Sequence, residues 1–367
     1  MDINKKSGTD QQQAVLDAMA GPLLAWYDLH KRTLPWRGTR DPYRVWVSEI
    51  MLQQTRVAAV IPYYQRWMAQ LPDVAALAAV EEERLLKLWE GLGYYSRARN
   101  LKKAACAIME QYGGQFPRTY GELLKLPGIG AYTAGAVASI AFGERVSAVD
   151  GNVLRVAARV ALLEGDIMDT RVRREMQQRM DRATPADRPG DFNQALMDLG
   201  ATVCLPGGAP DCDACPLSPA CAAHALHREQ ELPVKSKKAP RRVEEMTVFL
   251  LLCQGRTALR KRPDTGLLAG LWEFPHVPGN LGEGQAAAVL DGWGIRSLNW
   301  RQKIEAKHIF THVEWRMTGY LLDVREAQGD FTWATGADLG GMAVPSAFGK
   351  YLGEVRRALD GGHGAGE

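Results

Sequence analysis

The sequence predicts a two-domain protein, with an all-α domain first and a smaller domain of mixed helices and strands second. At 367 residues the chain is longer than a typical single domain. Its pattern is helical nearly throughout the first half, whereas after Cys221 a polar, basic, Pro-containing segment leads into a region with the spacing of strands. The predicted organisation is a helical domain at 1–225, a linker at 226–242 and a second domain at 243–360.

Composition and charge are those of an ordinary globular protein. Hydrophobic residues make up 46% and charged residues 24% of the chain, which is ample material for a buried core. The net charge of +3 permits nucleic-acid binding without requiring it, because basic groups must also cluster on one face. The N-terminus lacks the apolar core of a signal peptide, and no stretch approaches the roughly 20 apolar residues of a membrane span. We therefore expect a cytoplasmic protein that does not cross a membrane.

The predicted helix from Val45 to Val57 carries a carboxylate on its apolar face. Glu49 lies one turn after Val45 and one turn before Leu52, so its side chain shares their side of the helix. Burial raises the pKa of a carboxyl group, and a carboxylic acid that stays protonated near neutral pH can act as a general acid. The alternative is a structural ion pair between Glu49 and Arg37 or Arg56, and the helix alone does not separate the two.

Two short stretches have side chains that suit a protein acting on a base within a duplex. Tyr or Gln side chains on a loop can fill the gap left when a base leaves the stack. Candidates for this role are Tyr94, in the aromatic and basic run GLGYYSRARN, and Gln53 and Gln54. The alternative for Tyr94 and Tyr95 is ordinary packing, and we expect one of the two tyrosines only to pack.

A Gly-rich turn at Leu126–Gly130 precedes a predicted buried helix, Ala131 to Phe142, of small and apolar residues. Backbone N–H groups of such a turn, together with the positive end of the following helix, can bind a phosphate. The turn could equally be a plain corner between helices, since an isolated GxG is weak support for binding. The basic side chain of Lys125 immediately before the turn favours the phosphate site.

A second carboxylate, Asp150, stands just before a predicted helix from Val153 to Val160. Taken alone, Asp150 is more easily explained as the N-cap of that helix. Two carboxylates in unlike environments are also the arrangement that cleaves glycosidic bonds, where one protonates the leaving group and the other stabilises positive charge on the sugar. Both interpretations of Asp150 stay open at this point.

Four of the six cysteines are crowded into one short segment with the spacing C-x7-C-x2-C-x5-C. In a reducing compartment such a group indicates a metal site and not a pair of disulfides. Either zinc or a [4Fe–4S] cluster suits four thiolates, and the single CxxC favours iron–sulfur over a zinc ribbon. The predicted ligands are Cys204, Cys212, Cys215 and Cys221.

The second domain begins with an apolar, β-prone run, Met246 to Cys253, and residues 306–324 contain two more candidate strands. This pattern predicts a mixed domain that is smaller than the first.

Several long motifs in the right order resemble the adenine DNA glycosylases of the MutY type, within the helix-hairpin-helix glycosylase superfamily. The resemblance covers nearly the whole chain, and the four cysteines share it. The motifs are PWRGTRDPYRVWVSEIMLQQTRV, GLGYYSRARNL, LPGIGAYTAGAVAS, AVDGNVLRVAARV and FNQALMDLGATVC.

The resemblance implies a role for each candidate residue. It makes Glu49 the general acid that helps to protonate adenine and Asp150 the group that stabilises an oxocarbenium-like state. Tyr132 stands where lyase relatives such as endonuclease III carry a Schiff-base lysine, which implies base removal without efficient strand cutting. By the same resemblance, the adenine pocket has Trp36, Arg37 and Leu52; the residues entering the helix are Gln53, Gln54 and Tyr94; and the DNA-binding hairpin has Leu126, Gly128 and Gly130.

The second domain resembles the Nudix-related lesion-recognition domain of this family. The run LLAGLWEFP matches part of the Nudix fold, whereas the glutamate-rich element that binds Mg²⁺ in Nudix hydrolases is missing after Pro275. The resemblance implies recognition of 8-oxoguanine through Phe310, Thr311 and His312.

The implied protein is a monomeric, monofunctional glycosylase with a [4Fe–4S] cluster, acting on duplex DNA that contains adenine opposite 8-oxoguanine or guanine. One departure lies in the cluster loop, where LPGGAPD, between Cys204 and Cys212, is one residue longer than the family pattern. We expect the extra residue to bulge outward at Gly207 and Gly208 and the cluster to be retained.

Overall fold

The computed structural model describes residues 3–207, 209–236 and 240–361. These form two compact units, one of residues 3–79 and 100–236 and one of residues 80–99 and 240–361. The first unit is helical and the second is built on a mixed sheet, so the predicted fold class is confirmed. Among the described residues, no helix is both long enough and apolar enough to cross a membrane.

The helical part of the chain contains thirteen α-helices among the described residues. One of them, Glu82–Trp89, and the first turn of the next, Ser96–Tyr112, belong to the second unit. The helices are α1 Ile3–Asp17, α2 Ala20–His30, α3 Pro42–Leu52, α4 Val57–Gln70, α5 Val74–Ala79, α6 Glu82–Trp89, α7 Ser96–Tyr112, α8 Tyr120–Leu123, α9 Ala131–Phe142, α10 Gly151–Val160, α11 Thr170–Ala183, α12 Pro189–Thr202 and α13 Ala222–Ala225.

The predicted helix from Val45 to Val57 is two helices in the structure. Helix α3 ends at Leu52, and α4 begins at Val57. Gln54 between them has the left-handed φ of 58°, a conformation that cannot continue a right-handed helix. Gln53 and Gln54 therefore lie in a tight turn and not on a helical face.

Helix α9 lies very close to the segment that leads into α10. A Cβ atom at Gly135 would stand 2.3 Å from the carbonyl oxygen of Ser147, so only glycine allows this approach. Asn193 of α12 fixes the same segment, because its side-chain oxygen accepts from the Ala148 amide at 2.9 Å. These contacts fix the backbone just before Asp150.

Residues 226–236, the described part of the predicted linker before its gap, are hydrogen-bonded to the helical unit. The Ile167 amide donates to the carbonyl of Val234 at 3.0 Å, and Arg228 pairs with Glu164 at 2.7 Å. The first strand of the second unit begins at Arg242, the last residue of the predicted linker.

The second unit has a central mixed sheet of strand order β3-β2-β1-β6-β5, with β4 paired to β1 and β7 to β2. Strands β1 and β6 are parallel, and β5 and β6 form an antiparallel hairpin. The elements are β1 Arg242–Cys253, β2 Arg256–Lys261, β3 Trp272–Glu273, β4 His276–Pro278, α14 Glu283–Gly292, β5 Ser297–Ile309, β6 Val313–Val324, β7 Thr332–Thr335, α15 Asp338–Gly341 and α16 Gly349–Gly361.

Both faces of this sheet are apolar. Along β1, Val248 and Leu250 belong to the cluster that includes Tyr351 of α16, whereas Phe249 packs on the other side with Leu290 of α14. This alternation is the period of a strand buried on both faces. Strand β5 begins at Ser297, well before the predicted residue 306. Its N-terminal half is mostly exposed and lacks the alternation of apolar and polar residues that would have predicted a strand.

Candidate active site

Glu49 is a buried carboxyl group on α3. Asp41 caps this helix by accepting from the amide of Tyr43 at 2.9 Å, and Pro42 occupies its first turn, as helix starts favour. The apolar face of α3 packs against the core, and Glu49 lies on this face, so that the residue is only 6% exposed. Burial raises the pKa of Glu49, and the nearby Asp150 raises it further.

Tyr132, in the first turn of α9, is the hydrogen-bond partner of Glu49. Its hydroxyl donates to Oε2 of Glu49 and lies 3.8 Å from the Sδ atom of Met197 on α12. Burial, followed by the neighbouring carboxylates, raises the pKa of Tyr132 well above its usual value. Tyr132 therefore remains a neutral phenol, and its O–H donates a hydrogen bond to Glu49.

The structural ion pair considered for Glu49 is absent from the described part of the chain. The guanidinium of Arg37 instead donates to Oδ1 of Asp198 at 2.9 Å and to the hydroxyl of Tyr27 at 2.6 Å. Arg56 is exposed at the start of α4. Arg37 still acts on Glu49 through space, since its positive charge opposes the rise in the pKa of Glu49.

Asp150 is the N-cap of α10, as the simpler interpretation predicted. Its Oδ1 accepts from the amides of Asn152 and Val153, each at 2.8 Å, and its Oδ2 accepts from the Asn152 side chain at 2.8 Å. Burial raises the pKa of Asp150, and these hydrogen bonds oppose the rise because they favour the carboxylate. Asp150 also acts electrostatically on both Glu49 and Tyr132, so the cap and the acid share one site.

Arg155 links this site to the segment that contains the first cysteine. Its NH2 group donates to the side-chain oxygen of Asn152 at 2.9 Å, and its Nε donates to the carbonyl of Cys204 at 2.8 Å. The sequence interpretation missed Asn152 and Arg155. The offset of two residues from the capping aspartate could have identified Asn152, whereas nothing local pointed to Arg155.

The predicted adenine-pocket residues lie on the same unit. Trp36 is 4% exposed and packs edge-on against Tyr64, with ring centroids 5.3 Å apart, and Leu52 is half-buried at the end of α3. Next to it, Gln53 donates to the hydroxyl of Thr133 at 3.3 Å, and Gln54 is exposed. Leu52 and Gln53 are thus half-buried at the C-terminal end of α3, with Gln53 bonded to α9, whereas Trp36 is buried.

The Leu126–Gly130 turn connects α8 to α9 as predicted. Leu126 and Ile129 are buried and anchor the turn, whereas Gly128 and Gly130 are exposed. Gly128 has a φ of +73°, and a Cβ atom there would stand 2.5 Å from the Cβ of Asn100. The turn therefore requires glycine at 128, and Leu126 can offer only its backbone to a ligand.

In the second unit, the predicted residues Tyr94 and Thr311 meet each other. The hydroxyl oxygen of Tyr94 lies 3.0 Å from Oγ1 of Thr311. Tyr94 is 47% exposed, whereas Tyr95 is 5% exposed and packs in the core. Tyr94 is therefore the exposed member of the pair, and Tyr95 is the buried one.

Thr311 stands at the tip of the β5–β6 hairpin between two other predicted residues. Phe310 packs its ring against His308 and Trp315, with centroids 4.5 and 4.8 Å away. His312 is exposed, and its carbonyl accepts from the Arg242 amide at 3.1 Å. The tip thus presents two polar side chains on a firmly packed base.

The four predicted ligands line one cavity beside α10 and α12: Cys204, Cys212, Cys215 and Cys221. None of the four forms a disulfide. Burial raises the pKa of Cys215 to about 11 and, followed by the sulfur of Cys204, raises the pKa of Cys221. The donor set fits a [4Fe–4S] cluster, which takes four thiolates. An outward bulge was expected at Gly207 and Gly208. Gly207 has a left-handed φ of 68°, and Gly208 lies outside the described residues.

Asp198 is a further residue of this region that the sequence interpretation missed. It is a buried carboxylate within the otherwise apolar run Ala195–Gly200 of α12 and pairs with Arg32 and Arg37 at 2.6 and 2.9 Å. The criterion that singled out Glu49, an acidic residue in an apolar helical run, would have found Asp198 as well.

Comparisons with known proteins identify the family of both units. Residues 47–182 match the HhH-GPD superfamily of base excision DNA repair proteins, and residues 247–354 match the NUDIX domain. An adenine DNA glycosylase from Mus musculus is 37% identical, with 92% of this chain and 78% of that protein covered. The adenine DNA glycosylase of Schizosaccharomyces pombe is 31% identical over 86% of this chain and 85% of that one.

Among solved structures, a thermostable thymine-DNA glycosylase superposes with a TM-score of 0.53 at 28% identity. The match covers 59% of this chain and 99% of that one, which is the share expected if only the helical part is common to both.

Proposed function

The chain belongs to the adenine DNA glycosylases, and we propose that it hydrolyses the N-glycosidic bond of adenine mispaired with 8-oxoguanine or guanine in duplex DNA. It is a DNA glycosylase enzyme of base excision repair. The observation that carries the finer proposal is the pairing of buried Glu49 with the Tyr132 hydroxyl beside the capped carboxylate of Asp150.

In the proposed reaction, adenine leaves the base stack and enters the pocket of Trp36, Arg37 and Leu52. Glu49, whose pKa burial raises, donates a proton to the departing base. The Tyr132 hydroxyl, bonded to one oxygen of Glu49, leaves the other oxygen to hold and deliver that proton. A neutral leaving group departs far more readily than an anionic one, which is the gain from general acid catalysis.

Asp150 acts on the sugar in this proposal. Loss of adenine leaves an oxocarbenium-like centre, and a fixed carboxylate next to it lowers the energy of that state. The hydrogen bonds from Asn152 and Val153 favour the ionised form of Asp150 and hold it in one orientation. Water then adds to the sugar and yields an abasic site.

Tyr132 supports a monofunctional reaction. A lyase requires an amine that forms a Schiff base with the sugar, and a phenol cannot form one. The high pKa of Tyr132, caused mainly by burial, also prevents the phenolate from acting as a nucleophile. We therefore propose base removal without efficient strand cutting.

We propose that Tyr94, Gln53 and Gln54 enter the duplex and that the tip of the β5–β6 hairpin reads the opposite base. The Thr311 hydroxyl lies 3.0 Å from the Tyr94 hydroxyl. Tyr94 can therefore fill the gap in the base stack while Thr311, next to it, hydrogen-bonds the opposite base. The exposed turn at Gly128 and Gly130 supplies backbone groups for a phosphate.

Single-turnover assays on duplexes with adenine opposite 8-oxoguanine, guanine or thymine test this proposal. We expect release to be fastest opposite 8-oxoguanine, slower opposite guanine and slowest opposite thymine, with strand breaks only after alkali.

Removing the hydroxyl in Thr311→Val should reduce the preference for 8-oxoguanine over guanine by about fivefold to tenfold, the effect of one lost hydrogen bond. Thr332→Val, at an exposed position of β7, is the matched control. Equal rates on all three duplexes would contradict the proposed substrate, and borohydride trapping of a covalent adduct would contradict the monofunctional reaction.

We propose that Cys204, Cys212, Cys215 and Cys221 hold a [4Fe–4S] cluster. When bound, such a cluster cross-links the loop through iron–sulfur bonds and fixes its position. Arg159 supports the assignment, because its NH1 group lies 3.2 Å from the Cys204 sulfur and its Nε donates to the carbonyl of Leu232 at 3.0 Å. A buried cation suits an anionic cluster.

Purified protein should contain about four iron atoms and equivalent sulfide per chain and should absorb visible light. Cys215→Ser should lose most of the iron and unfold at a lower temperature, because the loop loses a cross-link. Cys106→Ser, at a cysteine outside the group, should keep both properties. Bound zinc without sulfide would show that the assignment is wrong.

The remaining parts of the proposal are a monomer, a cytoplasmic location and functional domains at 1–225 and 243–360. The location and the domain bounds are inferred from the sequence, and the monomer from the resemblance to the family. Analytical ultracentrifugation of the free enzyme and of its DNA complex tests the monomeric state.

A further inference from the structure

Asp198 is a fully buried carboxylate with an unusual set of partners. Its side chain is 1% exposed. Oδ1 accepts from Arg32 at 2.6 Å and from Arg37 at 2.9 Å, and Oδ2 accepts from the Arg32 amide at 3.3 Å. Two cations therefore share one anion, and the group as a whole keeps a positive charge.

Arg37 is the member of this group that acts on the proposed acid. Its NH1 and NH2 groups are directed to the Tyr27 hydroxyl and to Asp198, and no ion pair joins it to Glu49 within the described ranges. Its charge nevertheless opposes the rise in the pKa of Glu49. A guanidinium released from Asp198 would be free to approach this carboxylate, and a close cation keeps a carboxyl group ionised.

Helix α12 brings both features into one place. Met197 contacts the Tyr132 hydroxyl that bonds Glu49, and the next residue, Asp198, holds Arg37. Successive residues of a helix point about 100° apart. One turn of α12 therefore contacts Tyr132 through Met197 and restrains Arg37 through Asp198.

We propose that Asp198 is a positioning residue that holds the Arg37 guanidinium away from Glu49 and offsets its charge, so that Glu49 keeps the proton it delivers to adenine. The inference rests on the proposed function, since it gives Glu49 the role of general acid.

The charged and titratable groups that act on Glu49 come from three elements. Tyr132 belongs to α9, Arg37 to the loop before α3, and Asp150 to the start of α10. Asp198 itself faces Arg32 and Arg37, and Tyr27 of α2 lies at the other side of the Arg37 guanidinium. Replacing Asp198 with asparagine leaves all of these groups in place and removes one negative charge.

The test is the pH profile of single-turnover adenine release from a duplex with adenine opposite 8-oxoguanine. In the wild-type enzyme the rate falls as pH rises through the pKa of Glu49. In Asp198→Asn the midpoint of this fall should move down by about one pH unit, so that above the midpoint the rate drops about tenfold relative to wild type. The midpoint is the readout, because a purely structural loss would lower the plateau.

Arg32→Met is the matched control. It breaks the same buried group but leaves Asp198 paired with Arg37, so the midpoint should not move down. Adding Asp198→Asn to Arg32→Met leaves Arg37 as a lone cation, and the midpoint should again fall by about one pH unit. This double variant buries fewer unpaired charges than Asp198→Asn and tests the inference even if the single variant fails to fold.

Equal midpoints in Arg32→Met and in the double variant would overturn the role of Asp198. A downward movement in Arg32→Met as large as in Asp198→Asn would also overturn it, because disruption of the group alone would then suffice. A wild-type enzyme that releases no adenine, or whose rate has no alkaline fall, would instead reject the proposed function.

Discussion

Glu49→Gln should lose at least about a hundredfold in the single-turnover rate of adenine release, the usual contribution of a general acid. Glutamine has nearly the same shape, and its side-chain oxygen can still accept from Tyr132. The amide has no proton to donate to the base, so chemistry is lost while binding to the mispaired duplex is kept. Because burial disfavours the ionised carboxyl group, the neutral amide should not lower the unfolding temperature at neutral pH.

The pH profile adds a second measurement to this prediction. Burial raises the pKa of Glu49, and in the proposed mechanism the active form is the protonated one. The wild-type rate should therefore be highest below this pKa and fall above it, whereas the residual rate of Glu49→Gln should lack that alkaline fall. Glu110→Gln, an exposed position on α7, removes a charge of the same kind and should behave as wild type. A fully active Glu49→Gln enzyme would exclude the carboxyl group from the mechanism.

Asp150→Asn should reduce adenine release by about a hundredfold to a thousandfold, the range found when one group that stabilises transition-state charge is removed. Asparagine is also a good N-cap, so α10 keeps its start. Its amide nitrogen, however, meets the donating side chain of Asn152, which now bonds Oδ2 of Asp150 at 2.8 Å. We therefore expect a modest loss of stability beside a large loss of rate.

Asp169→Asn separates the two effects. Asp169 caps α11 by accepting from the Arg171 amide at 2.7 Å, so the same substitution changes a helix cap of the same unit away from the acid. It should lower the unfolding temperature slightly and leave adenine release unchanged. If Asp150→Asn loses no more activity than Asp169→Asn, the carboxylate at 150 serves only as a cap.

The capping role of Asp150 and its proposed chemical role support each other. A cap fixes the carboxylate through the amides of residues 152 and 153, and this rigidity is what a preorganised electrostatic group requires. The close approach of α9 at Gly135 fixes the same backbone from the other side. The segment from 126 to 160 therefore contains the hairpin turn, the partner of the acid and the second carboxylate.

Local features of the sequence were sufficient for the fold class, for the bounds of α9 and for the burial of Glu49. Each depends on neighbours within one or two turns: glycines that end a helix, an apolar run, a carboxylate among apolar residues. The exposed half of β5 was missed, because an edge strand with solvated side chains is held by backbone hydrogen bonds that leave no hydrophobic pattern. The end of α3 at Leu52 was missed because it depends on the left-handed φ of Gln54. Glutamine, unlike glycine, does not predict such a conformation.

The sequence by itself therefore determined the two-unit fold, the cysteine group and the identity of two unlike carboxylates. Only the tertiary structure decided which side chains meet: Tyr132 with Glu49 across 83 residues, Arg37 with Asp198 across 161 and Tyr94 with Thr311 across 217. The physical reason is that periodicity and capping are set by adjacent residues, whereas the partner of a buried charge is chosen by competition among all groups that packing brings near it. From the sequence Arg37 was a possible partner of Glu49, and in the structure its guanidinium pairs with Asp198 of α12.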